Sequence, residues 1–157
     1  MIDAKKYRDV VYRIIGAAMK VHEELHGGLL EAVYQEALSW ELEQRGIKNE
    51  QEKEIRICYR NHLLEKKYKM DVVVGDVVVE LKSSRKICSA HRSLLCNYLR
   101  LTQRPVGVLI NFGLSSLQGE RWALDKDTNE CVLVDKTMEP LNLDNDLFSD
   151  GTVYKED

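Results

Sequence analysis

MDVVVGDVVVELK, residues 70–82, reads as a hairpin: two valine-rich runs meet at Gly75 and Asp76. A two-residue loop with glycine first suits the tight turn between antiparallel strands. That loop fixes the register, because Val74 then pairs with Val77 and the other pairs follow in step. Asp71 falls opposite Glu80. Opposed residues project to one side of a sheet with Cβ atoms about 4.5–5.5 Å apart. Two carboxylates therefore meet on one face, and Lys82, two residues after Glu80, joins them while Val77, Val79 and Leu81 point to the other side. Like charges beside a row of valines are costly in a merely structural sheet, and a divalent cation would resolve the repulsion. Oxygen donors without histidine or thiolate favour Mg²⁺ or Mn²⁺. Such an ion polarises a phosphate and lowers the pKa of a bound water, and Lys82 could orient that water or steady the developing charge. Hydrolysis of a phosphodiester fits this set. The plainer alternative is a wet, charged edge hairpin in which Lys82 neutralises a carboxylate, and D(x)8ExK spacing alone does not separate the two.

Upstream, Ile55, Ile57 and Tyr59 alternate with charged or small residues, Asn61 and His62 read as a turn, and a second strand leads through Tyr68 and Met70 to Val74. Further upstream, apolar residues recur at three and four: Tyr7, Val10, Val11, Ile14, Ile15, Ala18, Val21 and Leu25. This predicts a helix with one buried stripe, stopped by Gly27 and Gly28. A second helical pattern runs from about Leu29 to Arg45 through Leu30, Val33, Tyr34, Ala37, Leu38 and Leu42, with Gly46 as the stop. On that wheel Glu31 borders the stripe and Glu41 falls near its middle, so the wheel alone favours Glu41 of the two. Tyr34 reads as a packed ring with a satisfied hydroxyl.

Downstream, a helix over about Ala90–Arg100 is closed by Pro105, and VGVLINF (106–112) is short enough for a buried strand. A strand reached through a strand-helix unit lies parallel in the same sheet. The order is ααβββαβ, followed by an edge hairpin over 121–135. One domain is expected over residues 1–137, with a mobile acidic tail over 138–157.

A chain of 157 residues and 18.1 kDa suits a single domain. Hydrophobic residues at 44% and charged residues at 31% exclude general disorder, and no apolar run is long enough to span a membrane. The first twenty residues lack a basic segment followed by an apolar block, so a cytoplasmic address is expected. Cys58, Cys88, Cys96 and Cys131 are widely spaced and read as reduced thiols.

The charge is unevenly spread. Of the net −3, residues 138–157 carry −5, which leaves +2 for the body. No Asp or Glu occurs from Leu81 to Gly119, a stretch that holds Lys82, Arg85, Lys86, Arg92, Arg100 and Arg104. Together with His91, these are the candidate nucleic-acid contacts, against the plain alternative of a solvated face. HEELH (22–26) matches the HExxH zinc-peptidase pattern. Two glycines follow it at once and only about twenty residues precede it, so a satisfied core histidine at His22 is the commoner explanation.

GLLEAVY (28–34) carries Gly28, Glu31 and Tyr34 in the order for which the GxxExxY family is named, and HGGLLEAVYQEALSWELEQRGI (26–47) resembles that family through its second helix. KYKMDVVVGDVVVELKSS (67–84) and HRSLLCNYLRLTQRPVGVLINFG (91–113) are similar to its strand pair and its closing helix and strand. The family in turn resembles the PD-(D/E)XK nucleases. The resemblance implies an α/β, restriction-endonuclease-like core (αβββαβ) with an extra N-terminal helix and a mixed central sheet flanked by helices. It implies that Asp71, Glu80 and Glu31 are metal ligands, that Lys82 is the catalytic lysine and that the ion is Mg²⁺ or Mn²⁺. The implied activity is metal-dependent hydrolysis of DNA or RNA, with a catalytically weak interaction module on the same fold as the alternative. Two departures stand out: Met70 replaces the proline before the aspartate, and Leu94 replaces a glutamine expected three residues after His91. Such folds often pair, so a homodimer is one expectation. A protein partner masking the basic face is another, given a pI near 5.9.

Overall fold

The computed structural model describes residues 2–141. A short 3-10 turn, Lys5–Tyr7, leads into α1 (Arg8–Leu25) and α2 (Glu31–Gln44). Then come β1 (Glu50–Tyr59), β2 (His62–Val74), β3 (Val77–Lys82), α3 (Ser89–Thr102), β4 (Val106–Asn111), β5 (Gln118–Asp125) and β6 (Glu130–Val134). All six strands form one sheet in chain order. Only β3 and β4 run parallel, since only they are joined through a helix, and every other neighbour is antiparallel. No helix among the described residues is long and apolar enough to cross a membrane.

The β2–β3 register is the one its loop dictates, with Val74 opposite Val77, Val73 opposite Val78 and Val72 opposite Val79. Gly75 has the positive φ, 57°, that a turn with glycine first requires. The β1–β2 turn falls one residue earlier than Asn61-His62. Tyr59 pairs with His62, and Arg60 and Asn61 both take positive φ. A two-residue turn that needs two left-handed residues centres on an asparagine more readily than on a histidine.

Two apolar layers sandwich the sheet. Val72, Val77, Val79, Leu81, Val108 and Ile110 pack under α1 and α2, whereas Val73, Val78 and Leu109 pack under α3. The β1–β2 register shifts between Arg56 and Cys58, and strict alternation slips again near Asp71. Met70 and Val73 belong to the α3 layer although Val72 belongs to the other, and the β1–β2 ladder passes over Glu52 and Asp71, with Glu52 at φ 49°. Asp71 thus sits where the strand is locally re-aimed, a common device beside active sites.

The buried line of α2 differs from the wheel: Tyr34, Leu38 and Leu42 are buried, while Leu30 and Val33 are exposed. Periodicity locates a stripe to within a residue or so, and here the contact with the sheet selects the i, i+4 line that begins at Tyr34. Glu31, the first residue of the helix, is exposed and lies three residues before Tyr34, beside that line and not on it. The edge hairpin forms as β5 and β6. Of the acidic segment 138–157, only 138–141 are described: Met138 is buried and the Leu141 N–H donates to the Leu133 carbonyl at 2.9 Å. The expected mobile part of the tail lies outside the described residues.

Candidate active site

The β2–β3 ladder ends at the Val72–Val79 pair, and beyond it side chains take over from backbone. The Asp71 N–H donates to Glu80 Oε1 at 3.3 Å, and the Leu81 N–H donates to Asp71 Oδ2 at 2.8 Å. Both carboxylates are held in place by strand backbone. Glu80 is only 3% exposed. Burial first, and the Asp71 charge second, push its carboxyl up to about 8, with Lys82 pulling back only in part. Burial also raises Asp71, against the lowering effect of the Leu81 N–H.

Three further groups share this neighbourhood. The charge of Lys82 acts on Asp71, Glu80 and His91, and that of Glu31 acts on Asp71 and His91. His91 is the third residue of α3. Its Nδ1 accepts the Cys88 N–H at 3.3 Å, which leaves Nε2 to carry the proton of the neutral ring. Burial, followed by the Lys82 charge, lowers its pKa.

Glu31 is presented by a pinned loop. Gly28 turns the chain at φ 90°, and a Cβ on Gly27 would lie 2.6 Å from the Leu114 carbonyl oxygen. The Tyr34 hydroxyl donates to the His26 carbonyl and accepts the Leu29 N–H at 3.0 Å, while its ring stacks on Phe112 at 4.4 Å. Ser83 Oγ then donates to the Leu29 carbonyl at 2.6 Å and ties this loop to the end of β3. The glycine, the glutamate and the tyrosine of GLLEAVY therefore turn, present and anchor one loop.

A family model of the PD-(D/E)XK nuclease superfamily matches residues 8–122, which include the hairpin, the helix glutamate and α3. The chain belongs to the PD-(D/E)XK nuclease superfamily. No curated protein and no solved structure matches it. The mixed six-stranded sheet flanked by helices, with a helix in front, agrees with the restriction-endonuclease-like fold of PD-(D/E)XK proteins.

On this PD-(D/E)XK scaffold the basic segment does not form one surface. Arg92 is buried, and its guanidinium grips Glu120 with Nε 2.9 Å from Oε1 and Nη2 2.7 Å from Oε2. Its charge is engaged inside the fold by the Glu120 carboxylate. Arg100 Nε donates to the Asn129 carbonyl at 2.9 Å and Arg104 Nε to the Gly75 carbonyl at 3.4 Å. Both lie toward the opposite end of α3 from Lys82, because fourteen helical residues extend about 21 Å. Arg85 and Lys86 are exposed on the loop after β3, at the site end.

HEELH holds no zinc-site geometry. His22 is buried with Nε2 2.8 Å from the Leu114 carbonyl oxygen, and His26 lies past the helix end at φ 60°. Glu41, the other helix carboxylate, is ion-paired with Arg45 at 2.8 Å. Met70 is buried in the α3 layer, and Leu94 packs against the same layer, so both departures are filled by apolar contact.

Asn111 was not singled out from sequence. It is fully buried: Oδ1 accepts the N–H groups of Ser84 and Gly113, each at 3.0 Å, and Nδ2 donates to the Ser84 carbonyl at 3.0 Å. It clamps the loop that follows Lys82, and a Cβ on Gly113 would run into the backbone of Ser84. The available signal was a lone amide closing an apolar strand. Tyr98 was also missed. Its hydroxyl is raised by burial first and then by the charges of Glu80 and Asp71.

Proposed function

We propose that this PD-(D/E)XK protein is a metal-dependent phosphodiesterase acting on DNA or RNA, of the GxxExxY type. In this reading Asp71, Glu80 and Lys82 supply the D, E and K of the superfamily signature, and Glu31 is the carboxylate from the helix. The observation that carries it is the Asp71–Glu80 pair: two carboxylates, one of them buried, hydrogen-bonded into the end of a hairpin with no cation among the described residues bonded between them.

Among the described residues no three His, Cys, Asp or Glu side chains are drawn together as a ready metal cage. The donors present nevertheless suit Mg²⁺ or Mn²⁺, since Mg²⁺ binds through one or two carboxylates and keeps several waters. Asp71 and Glu80 would hold the ion, with Glu31 as a further oxygen donor. Bound there, it would polarise a phosphoryl oxygen and lower the pKa of a water. Lys82, half-buried beside the pair, balances phosphate charge and orients the attacking water. His91 offers its Nε2 proton to a phosphate oxygen, and Arg85 and Lys86 supply exposed positive charge at the mouth. The Leu81 N–H fixes the Asp71 carboxylate, and Asn111 fixes the chain immediately after Lys82.

The test is incubation of supercoiled plasmid, single-stranded DNA and RNA with the protein and Mg²⁺ or Mn²⁺. Cleavage is expected, with a loss of at least about 100-fold in Asp71→Asn and Glu80→Gln. Absence of cleavage of every substrate contradicts the enzyme reading. One observation favours the weaker alternative: Leu94, packed into the apolar layer, supplies no amide to the site. A binding module would show salt-sensitive nucleic-acid binding without turnover.

A further inference from the structure

The β1–β2 hairpin leaves the body of the protein as a two-stranded ribbon. From Glu54, paired with Lys69, to Tyr59, paired with His62, it has no third strand beside it among the described residues, and between residues 54 and 69 only Ile55 is buried. Arg56, Arg60, Lys66, Lys67 and Lys69 face only Glu54 and Glu65 in this stretch, a net charge of +3 within a chain of net −3. On one face Lys67 pairs with Glu54 at 2.7 Å, and Arg56 and Lys69 also act on that carboxylate. Tyr59, Leu63 and Tyr68 are exposed along the ribbon.

Its root reaches the candidate site. β2 runs without a break from the ribbon to Asp71, and the Tyr68 ring meets Tyr98 edge-on at 5.8 Å. From the Glu54–Lys69 pair to the Tyr59–His62 pair the ribbon extends roughly 20 Å, rather more than half of the ~34 Å of one duplex turn. A two-stranded ribbon enters the major groove of B-form DNA, about 12 Å wide, whereas the deep, narrow major groove of A-form RNA excludes it.

We propose that the β1–β2 ribbon is the docking surface for double-stranded B-form DNA, lying along the duplex and delivering a phosphate to the carboxylate pair at its root. This rests on the nuclease reading and adds to it the substrate class and the surface that selects it. The basic stretch after Lys82 supplies little of that surface, because Arg92 is buried against Glu120 and Arg100 and Arg104 lie away from the site.

The experiment is fluorescence anisotropy of a labelled 30-base-pair DNA duplex at several salt concentrations, in EDTA and again with Ca²⁺. Wild type is compared with Arg60→Ser/Lys66→Ser/Lys69→Ser, and with the single change Lys69→Glu should the triple variant fail to melt like wild type. Affinity is expected to fall at least ~10-fold in the triple variant, with the slope of log K against log salt reduced by about 2 to 3. Duplex RNA of the same sequence should bind more weakly than DNA to wild type. Unchanged DNA affinity and slope in the variants overturns the proposal, as does unchanged affinity with new self-association, which would mean that the lysines only guard an edge strand. If wild type binds no duplex DNA but cleaves another nucleic acid, the ribbon proposal fails and the nuclease reading stands. If it neither binds nor cleaves any nucleic acid, the nuclease reading itself fails.

Discussion

Glu80 and Glu120 stand in one row of the sheet, on either side of Leu109 and under the same helix. Two strand spacings, about 10 Å, separate them. Glu120 is fully buried and meets a two-pronged guanidinium from Arg92, with the Trp122 indole N–H donating to it at 3.0 Å. Glu80 is almost as buried, yet its nearest ionisable partner is another carboxylate. A buried charge that serves the fold is neutralised and hydrogen-bonded, because leaving it unpaired is costly. A buried carboxylate pair whose full ionisation works against the fold is accounted for by what it can bind. The contrast between the two glutamates is the strongest argument that the site lies at Glu80.

The contrast can be broken most forcefully at Arg92. Arg92→Ala leaves the Glu120 charge buried without its cation, and should cost about 3–5 kcal/mol in urea unfolding. The double change Arg92→Met/Glu120→Leu should recover most of that loss. A small effect of the single change would mean that Glu120 is not held as a structural charge.

Glu80→Gln should act in the opposite direction. In the fold Glu80 keeps its proton up to about 8, whereas its ordinary value is 4.5. Between those values the folded chain binds more protons than the unfolded one, so stability falls as pH rises through that window. Glu80→Gln should therefore stabilise the protein by about 1–3 kcal/mol at pH 9 and by little at pH 4, read from thermal melts at the two pH values. Destabilisation at pH 9 would show that Glu80 is as well satisfied as Glu120.

A smaller effect sharpens the assignment of the helix carboxylate. Tyr34→Phe keeps the ring on Phe112 but removes the bonds to His26 and Leu29, at a cost of about 1 kcal/mol. It should also lower cleavage by loosening the loop that presents Glu31. Glu41→Gln, which loses only a partly exposed pair with Arg45, should leave cleavage unchanged. Equal losses in both variants would remove the distinction between the two glutamates.

The hairpin was legible because a two-residue loop leaves one register, and that register alone set Asp71 against Glu80. The parallel β3–β4 pair followed from the intervening helix. The two ends of the basic run were not legible. Arg92 differs from Arg85 only in what lies across from it, and Glu120 comes from a strand 28 residues away whose position no local pattern gives. The line of α2 that packs was off by about a residue for the same reason, since a wheel shows an apolar face but not the sheet that selects among its edges. Asn111 escaped because its partners, Ser84 and Gly113, belong to loops that meet only in the folded chain.

The most direct measurement is calorimetric titration of Mg²⁺ and Mn²⁺ into wild type, Asp71→Asn and Glu80→Gln at pH 6 and pH 8.5. Binding to wild type that strengthens toward the higher pH, as Glu80 gives up its proton, and that is lost in both variants, is the expected result. Binding that is equal in all three proteins, or absent from wild type at pH 8.5, would contradict the claim that the carboxylate pair is a metal site.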